Sequence, residues 1–333
     1  MTGEDIRIAV VLPAYNEAAT IAQSIRAFHA AVPEADIFVV DNNSSDETAA
    51  LAAETLFALD CPGAVIDEPR QGKGNAVRRA FADVEADVYL LADADMTYPA
   101  ERARDLIAPV LVDQADMVVG DRLAAGCYAE QNTRRFHDVG NRLVRRLVNF
   151  LFRARLHDIM SGYRAVNSLF VTTYPILVEG FEIETDMTLH ALDKRFRIRE
   201  IPVDYKDRPA GSTSKLRTVS DGARVVFTIA QILRYYRPLL FFGFLSLAIL
   251  ILALLAGSPA IMDYIRTRFV YHVPLAVLAS GLAVVAVITF GIGLTLDSLA
   301  NQQRRDFERH LLQYRRTHSL LRNRRREAAG RRQ

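Results

Sequence analysis

Short apolar runs, each ending in a cluster of polar residues, recur along the first third of the chain. Arg7–Leu12, Ile37–Val40, Ala64–Ile66, Val88–Ala92 and Met117–Gly120 are such runs, and their length and boundaries predict buried strands. Helical spacing fills the gaps, with Ile21, Ile25 and Phe28 on one face and Ala76, Val77, Ala80 and Phe81 on another. Strands alternating with helices predict a parallel sheet covered on both faces. Ligands of such sheets bind beyond the carboxyl ends of the strands. The polar clusters all fall at that edge: Pro13-Ala14-Tyr15-Asn16-Glu17, Asp41 through Asp46, Arg70 through Asn75, and Asp93-Ala94-Asp95. Ser44 or Ser45 is expected to cap the helix after the second strand, with Asp46 and Glu47 in its first turn.

Beyond Gly120 the pattern changes. Arg134–Arg153 reads as an amphipathic helix, with Phe136, Val139, Leu143, Leu147, Phe150 and Leu151 on one face and Arg135, Arg142, Arg145, Arg146 and Arg153 on the other. Such a helix suits either a solvated surface or an anionic membrane surface. A further strand is predicted at Ile198–Tyr205, then a loop from Arg208 to Lys215 rich in small and hydroxyl residues, suited to an anion or simply to solvent. Val219–Tyr236 is amphipathic again. Leu239–Gly257 then gives 19 residues without a charge, and Val273–Leu296 gives 24. About twenty apolar residues span a bilayer, so the two segments predict a transmembrane hairpin.

Composition sharpens this picture at the two ends. The net charge is only +2, but the tail after Asn301 carries eleven arginines against three acids. The positive-inside rule places such a tail in the cytoplasm, against anionic headgroups rather than nucleic acid. Met1 to Asp5 lack a signal-peptide pattern, so the first domain is expected on the same side. Cys61 and Cys127 have no metal-type spacing. The expected organisation is a catalytic domain over 1–217, an amphipathic helix over 218–238, two spans over 239–297 and a basic cytoplasmic tail over 298–333.

The chemistry concentrates at Asp93-Ala94-Asp95. Two carboxylates one residue apart, at the end of a buried strand, can face one hard divalent cation whose other positions go to substrate phosphates. The plainer alternative is that both acids end the strand and cap the helix after Pro99.

Six motifs in order carry a family resemblance. They are Pro13-Ala14-Tyr15-Asn16-Glu17, Asp41-Asn42-Asn43-Ser44-Ser45-Asp46-Glu47-Thr48, Gly72-Lys73-Gly74-Asn75-Ala76, Asp93-Ala94-Asp95, Asp158-Ile159-Met160-Ser161-Gly162-Tyr163-Arg164 and Ser214-Lys215. The chain resembles the family 2 glycosyltransferases that make polyprenyl-phosphate sugars, the group of dolichol-phosphate mannose synthase. The resemblance implies an α/β fold of GT-A type, a Rossmann-like mixed sheet with amphipathic interface helices and a C-terminal two-helix hairpin. It also implies a nucleotide-sugar donor, with Pro13, Tyr15, Glu17 and Asp41 on base and ribose. Lys73, Asp93 and Ala94 would complete the donor site, and Asp95 and Thr97 would meet Mg²⁺ or Mn²⁺. Arg208 and Lys215 would close over the pyrophosphate. For the acceptor phosphate the resemblance implies Ser161 and Arg164, with Arg142 or His157; the alternative for Arg164 is an ion pair with Asp158. Thr97 and Tyr98 depart from the mannose-type pattern, which favours a UDP-sugar over GDP-mannose.

A lipid phosphate has a second pKa of about 6 and is largely dianionic at neutral pH. It can attack the anomeric carbon without a general base, so Asp93, Asp95 and Arg164 would supply alignment and charge stabilisation. A processive polysaccharide synthase shares the first-half motifs, but this chain has no Trp and two helices cannot enclose a sugar channel. A non-catalytic membrane scaffold is the reading from another class. The partners expected are therefore a nucleotide-sugar, a polyprenyl phosphate and a membrane, with a homo-oligomer possible and no nucleic acid.

Overall fold

Among the described residues, seven strands form one sheet in the order β3-β2-β1-β4-β6-β5-β7. The computed structural model describes residues 6–124, 135–180, 182–204 and 221–330, and side chains outside 135–139, 221–228 and 314–330. The chain folds as two units, Met1–Asp221 and Gly222–Gln333.

In the first unit, β1 (Ile8–Ala14), β2 (Asp36–Asp41), β3 (Gly63–Asp67) and β4 (Val88–Leu91) pair in parallel. The helices between them are α1 (Ile21–Ala31), α2 (Thr48–Ala58) and α3 (Lys73–Asp83). Ile21, Ile25 and Phe28 are buried on α1, and Ala76, Val77 and Ala80 on α3, as their spacing predicts. A short turn and α4 (Ala103–Leu111) lead to β5 (Met117–Asp121).

The sheet is mixed, not wholly parallel. β6 (Arg164–Asn167) lies antiparallel between β4 and β5, and β7 (Ile198–Pro202) runs parallel to β5. The sequence pattern missed β6 because Arg-Ala-Val-Asn is short, begins with a charge and shows no run of apolar residues. Both β4 and β5 oppose β6, so they point the same way. All strands except β6 therefore deliver their carboxyl ends to one edge.

α5 (Arg135–Phe152) crosses this unit before β6, with α6 (Ser168–Thr173) and α7 (Ile183–Asp193) after it. Among the described side chains of α5 the buried apolar ones are Val144, Val148 and Leu151, of which the predicted stripe held only Leu151. Leu143 and Phe150 are instead exposed, at 48% and 78%, on the side that also carries exposed Arg142 and Arg146. An outward face that mixes arginines with a large aromatic is the pattern of a helix lying in a headgroup layer.

The second unit begins with α8 (Asp221–Tyr236), then α9 (Pro238–Thr267) and α10 (Val273–Gly330). The helices Pro238–Thr267 and Val273–Gln313 are long and apolar enough to cross a membrane. Small residues bring α9 and α10 together: Ser246 Oγ donates to the Ala286 carbonyl at 2.7 Å, and a Cβ on Gly293 would meet Phe242 Cβ at 2.8 Å. α9 runs on through Pro259 to Thr267, so its connection to α10 is far shorter than the stretch 258–272 that separates the two charge-free segments. Asp263 ties it down by accepting from the Tyr271 and His272 amides at 3.0 and 3.2 Å.

Candidate active site

The loops after β1 and β2 are stitched together by main-chain donors and side-chain acceptors. Asn16 Oδ1 accepts from the Ser45 amide at 2.8 Å, and Ser44 Oγ accepts from the Asn16 amide at 3.0 Å. Thr48 Oγ1 accepts from the Glu17 amide at 2.8 Å. Neither serine caps α2. Asp46 and Glu47 precede the helix instead of lying in its first turn, and Asp46 accepts from the Thr48 amide at 3.0 Å; Asn16, whose side chain meets Ser45, holds a left-handed backbone (φ 52°). Asn42 joins the third loop, donating to the Arg70 carbonyl and accepting from the Gly72 amide, both at 2.6 Å.

Pro13, within the last residues of β1, and Tyr15 and Glu17, on the loop after it, are half-buried. Asp41 closes β2 and is buried; its Oδ2 accepts from the Ser44 amide at 3.2 Å. Its Oδ1 is buried with no hydrogen-bond partner among the described residues.

The loop after β4 holds the two acids in different ways. Asp95 is 2% exposed, and its Oδ1 accepts from the Thr97 amide at 3.1 Å and the Thr97 hydroxyl at 2.6 Å. Neither acid caps the helix after Pro99. Thr97 thus orients the Asp95 carboxylate, while Met96 takes a left-handed backbone (φ 63°) to make the turn. Asp93 pairs with Lys73, whose ammonium also meets Glu184 Oε1 at 2.6 Å. Burial opposes the Lys73 charge, but Asp93 and Glu184 outweigh it and hold the ammonium above the ordinary lysine range. Ala94 is buried between the acids, and its carbonyl accepts from Ser24 Oγ at 2.8 Å.

Glycine makes this packing possible at two positions. Gly72 has φ +129°, and a Cβ there would sit 2.1 Å from the Glu179 carbonyl oxygen. At Gly162 a Cβ would meet Lys73 Nζ at 2.8 Å and Asp93 Oδ1 at 3.4 Å. A small cavity at this point is lined by Pro13, Lys73, Asp93, Gly162, Arg164 and Glu184, among others. Glu184 is the site residue that sequence reasoning missed. The cluster Glu182-Ile183-Glu184-Thr185-Asp186 marked a helix start, but nothing local in it points to Lys73.

The residues expected at the acceptor phosphate fall into two groups. Ser161 and Arg164 are fully buried. Arg164 donates to the Ser161 carbonyl at 2.7 Å, the Ile159 carbonyl at 3.0 Å and the Thr188 hydroxyl at 2.9 Å. Burial draws the Arg164 guanidinium below the ordinary arginine range, against the attraction of Glu184 and Asp158. The direct partner of Asp158 is Arg122, at 2.7 and 3.0 Å, rather than Arg164. Burial would raise Asp158, but Arg122 more than offsets it and the carboxylate stays below its ordinary range. Arg142 and His157 are exposed. His157 borders an open cleft of about 520 Å³ with Arg145, Arg146 and Arg155. Arg208 and Lys215 lie outside the described residues.

A mixed sheet whose carboxyl edge carries paired acids and a buried lysine defines an α/β protein with a charged cluster at that edge. The family model for glycosyl transferase family 2 matches residues 9–169. Glycosyltransferase AglJ of Haloferax volcanii is 30% identical over 290 residues, 87% of this chain and 90% of that one. The dolichyl-phosphate hexose transferase of the same organism is 29% identical over 225 residues, 68% of this chain and 93% of its own. Among solved structures, glucosyl-3-phosphoglycerate synthase of Mycobacterium tuberculosis, in complex with Mn²⁺, UDP-glucose and glycerol 3-phosphate, superposes with a TM-score of 0.51 at 22% identity. That match covers 68% of this chain and 79% of the other, and it shows the shared GT-A fold. The chain belongs to glycosyl transferase family 2.

Proposed function

We propose that the protein is a membrane-tethered, metal-dependent, inverting glycosyltransferase that moves a sugar from a nucleotide-sugar to a polyprenyl phosphate. The product would be a lipid-phosphate sugar for modifying cell-envelope glycans. The observation that carries this reading is the Asp93–Lys73–Glu184 cluster beside buried Asp95, at the carboxyl edge of the sheet in a chain that also holds two bilayer-length helices. A relative that acts, by its name, on dolichyl phosphate supports the choice of acceptor.

On the donor side, Asp41 Oδ1 is buried and has an open acceptor position among the described residues, which suits an N–H or O–H of the nucleoside. Tyr15 offers a ring for stacking and Glu17 a second acceptor. The carboxylate and hydroxyl oxygens of Asp93, Asp95 and Thr97 form a hard donor set that fits Mg²⁺ or Mn²⁺. Such an ion would neutralise charge on the departing diphosphate. Lys73 would add a second positive charge there, and Arg208 and Lys215 are proposed to close over the same group. We favour a UDP-sugar over GDP-mannose.

On the acceptor side, the incoming phosphate needs cations rather than a base. Arg142 would meet it directly, with His157 beside it, while Ser161 and Arg164 would set the loop that carries His157. The two apolar helices would tether the catalytic unit to the bilayer holding the lipid, with that unit and the basic tail on the cytoplasmic side.

The test is a transfer assay with the full-length protein, polyprenyl phosphate and Mg²⁺ or Mn²⁺. Radiolabelled UDP-glucose, UDP-N-acetylglucosamine, UDP-galacturonate and GDP-mannose are offered separately. One donor is expected to give chloroform-extractable label. Folded protein that labels lipid with none of them would overturn the proposal.

A further inference from the structure

We propose that Asp121, His157 and Glu200 form a second divalent-cation site, distinct from the Asp93–Asp95 pair, that takes a transition metal such as Mn²⁺ or Zn²⁺. One ligand atom from each residue lies within 4.8 Å of the other two. They come from three places. Asp121 ends β5, Glu200 sits on the neighbouring parallel strand β7, and His157 lies on the loop between α5 and β6.

Backbone amides hold the two carboxylates, and both Glu200 oxygens accept from the His157 amide, at 2.8 and 2.9 Å. Glu200 accepts from the His157 and Asp158 amides at 2.8 Å and so clamps the loop bearing the imidazole. Arg145 holds the same loop from the other side, donating to the His157 carbonyl at 2.9 Å. Asp121 Oδ1 accepts from the Leu123 and Ala124 amides at 2.9 and 3.2 Å, while its Oδ2 faces His157 Nδ1 at 3.3 Å. Hydrogen bonds to ligating carboxylates fix the direction of metal ligands.

Charge points the same way. Asp121 and Glu200 place two carboxylates on the neighbouring parallel strands β5 and β7. A bound dication would satisfy both carboxylates. One imidazole nitrogen with two carboxylate oxygens suits Mn²⁺, Zn²⁺ or Co²⁺, whereas Mg²⁺ and Ca²⁺ prefer oxygen alone.

The position gives the ion a task, on the reading that the protein transfers sugar to a lipid phosphate. β4 and β5 are separated by β6 alone, so Asp121 lies about two strand spacings, roughly 10 Å, from the end of β4. His157 also borders the cleft lined by Arg145, Arg146 and Arg155, which suits a phosphate. A phosphate oxygen of the acceptor would complete the coordination of the ion.

Co²⁺ is the probe, titrated into full-length protein in detergent without nucleotide or lipid, and read by its visible absorption and by calorimetry. About one ion per chain is expected to bind with imidazole-type bands. His157→Ala should weaken binding at least about 10-fold, and Glu200→Gln should weaken it too, while Asp95→Asn leaves it in place. His157 is exposed, so its variant should keep the wild-type melting temperature. No Co²⁺ binding, or binding that His157→Ala leaves unchanged, overturns the site whatever the transfer assay shows. If transfer is found, His157→Ala should raise the acceptor KM and spare the donor KM; the reverse would overturn the acceptor role.

Discussion

The two halves of the catalytic sheet are held by different forces. Between β1, β2 and β3, the functional loops are joined by side chains bonded to main chain: Asn16 with Ser45, Thr48 with Glu17, Asn42 with Arg70 and Gly72. Around β6, β5 and β7, ion pairs do the joining: Arg122 with Asp158, Arg197 with Asp113 and Asp116, and Lys73 with Glu184 from across the cavity. Neutral bonds to backbone fix shape and tolerate changes of pH and salt. Charged pairs taken from water are strong only while both partners are present. The proposed donor side is thus built as a rigid mould, and the proposed acceptor side as a set of balanced charges.

The largest effect is expected at the junction of the halves. Asp95→Asn keeps the oxygen that Thr97 contacts but removes the charge; it should lower transfer by at least roughly 10²–10³-fold without shifting the melting temperature. Undiminished transfer would remove the metal role. On the side of balanced charges, Arg122→Ala leaves Asp158, which is 4% exposed, without its guanidinium. A loss of about 3–5 kcal/mol in unfolding free energy is expected by denaturant titration; a loss below 1 kcal/mol would mean that water or another cation replaces the arginine.

Next comes Glu184→Gln. If Glu184 acts by orienting Lys73 against Asp93, transfer should fall roughly 10- to 100-fold. The same change made on top of Lys73→Met should then do little more. Full additivity in the double variant would instead put Glu184 in direct contact with substrate.

The smallest effect is a pH dependence. Burial, with the charge of Lys194, depresses His190 from 6.5 to about 4, so the folded protein keeps the ring neutral where the unfolded chain takes a proton. Stability is therefore complete above pH 6.5 and is lost as pH falls from there toward 4. The loss between about pH 7.5 and pH 5 should be on the order of 2 kcal/mol. Melts of wild type and His190→Phe should converge or cross as pH falls; parallel curves would assign the acid sensitivity elsewhere. The ring sits among Phe170, Tyr174 and Phe196, so phenylalanine matches its surroundings.

The same contrast governs what the sequence made legible. β1, β2 and β4 are apolar runs whose ends carry motifs, and their positions follow from pattern alone. The hairpin is legible for the same reason, since each span needs only length and the absence of charge. β6 is not legible, because its arginine is solvated by carbonyls of Ser161 and Ile159 that only the folded chain supplies. Ser44 and Ser45 looked like caps because a short window cannot see the Asn16 side chain arriving from another loop. Leu143 and Phe150 share an apolar stripe with Leu151 but not its burial, because periodicity finds such a stripe without saying what faces it. Lys73 and Asp93 were legible as chemistry, but their bridge to Glu184 joins segments distant in sequence.

Tyr98 carries a consequence for how the site opens. Its ring stacks on Tyr163 at 5.1 Å, its oxygen accepts from the Gly162 amide at 2.9 Å, and Tyr163 donates back to the Pro99 carbonyl at 3.0 Å. Two segments distant in the chain are buttoned to each other in both directions. In hydrogen-exchange terms, the amides of Thr97 and Gly162 belong to one cooperative unit and should exchange together, at the rate of the central strands rather than that of surface loops. The turn bearing Asp95 therefore cannot breathe alone; its opening requires the release of the segment that leads into β6.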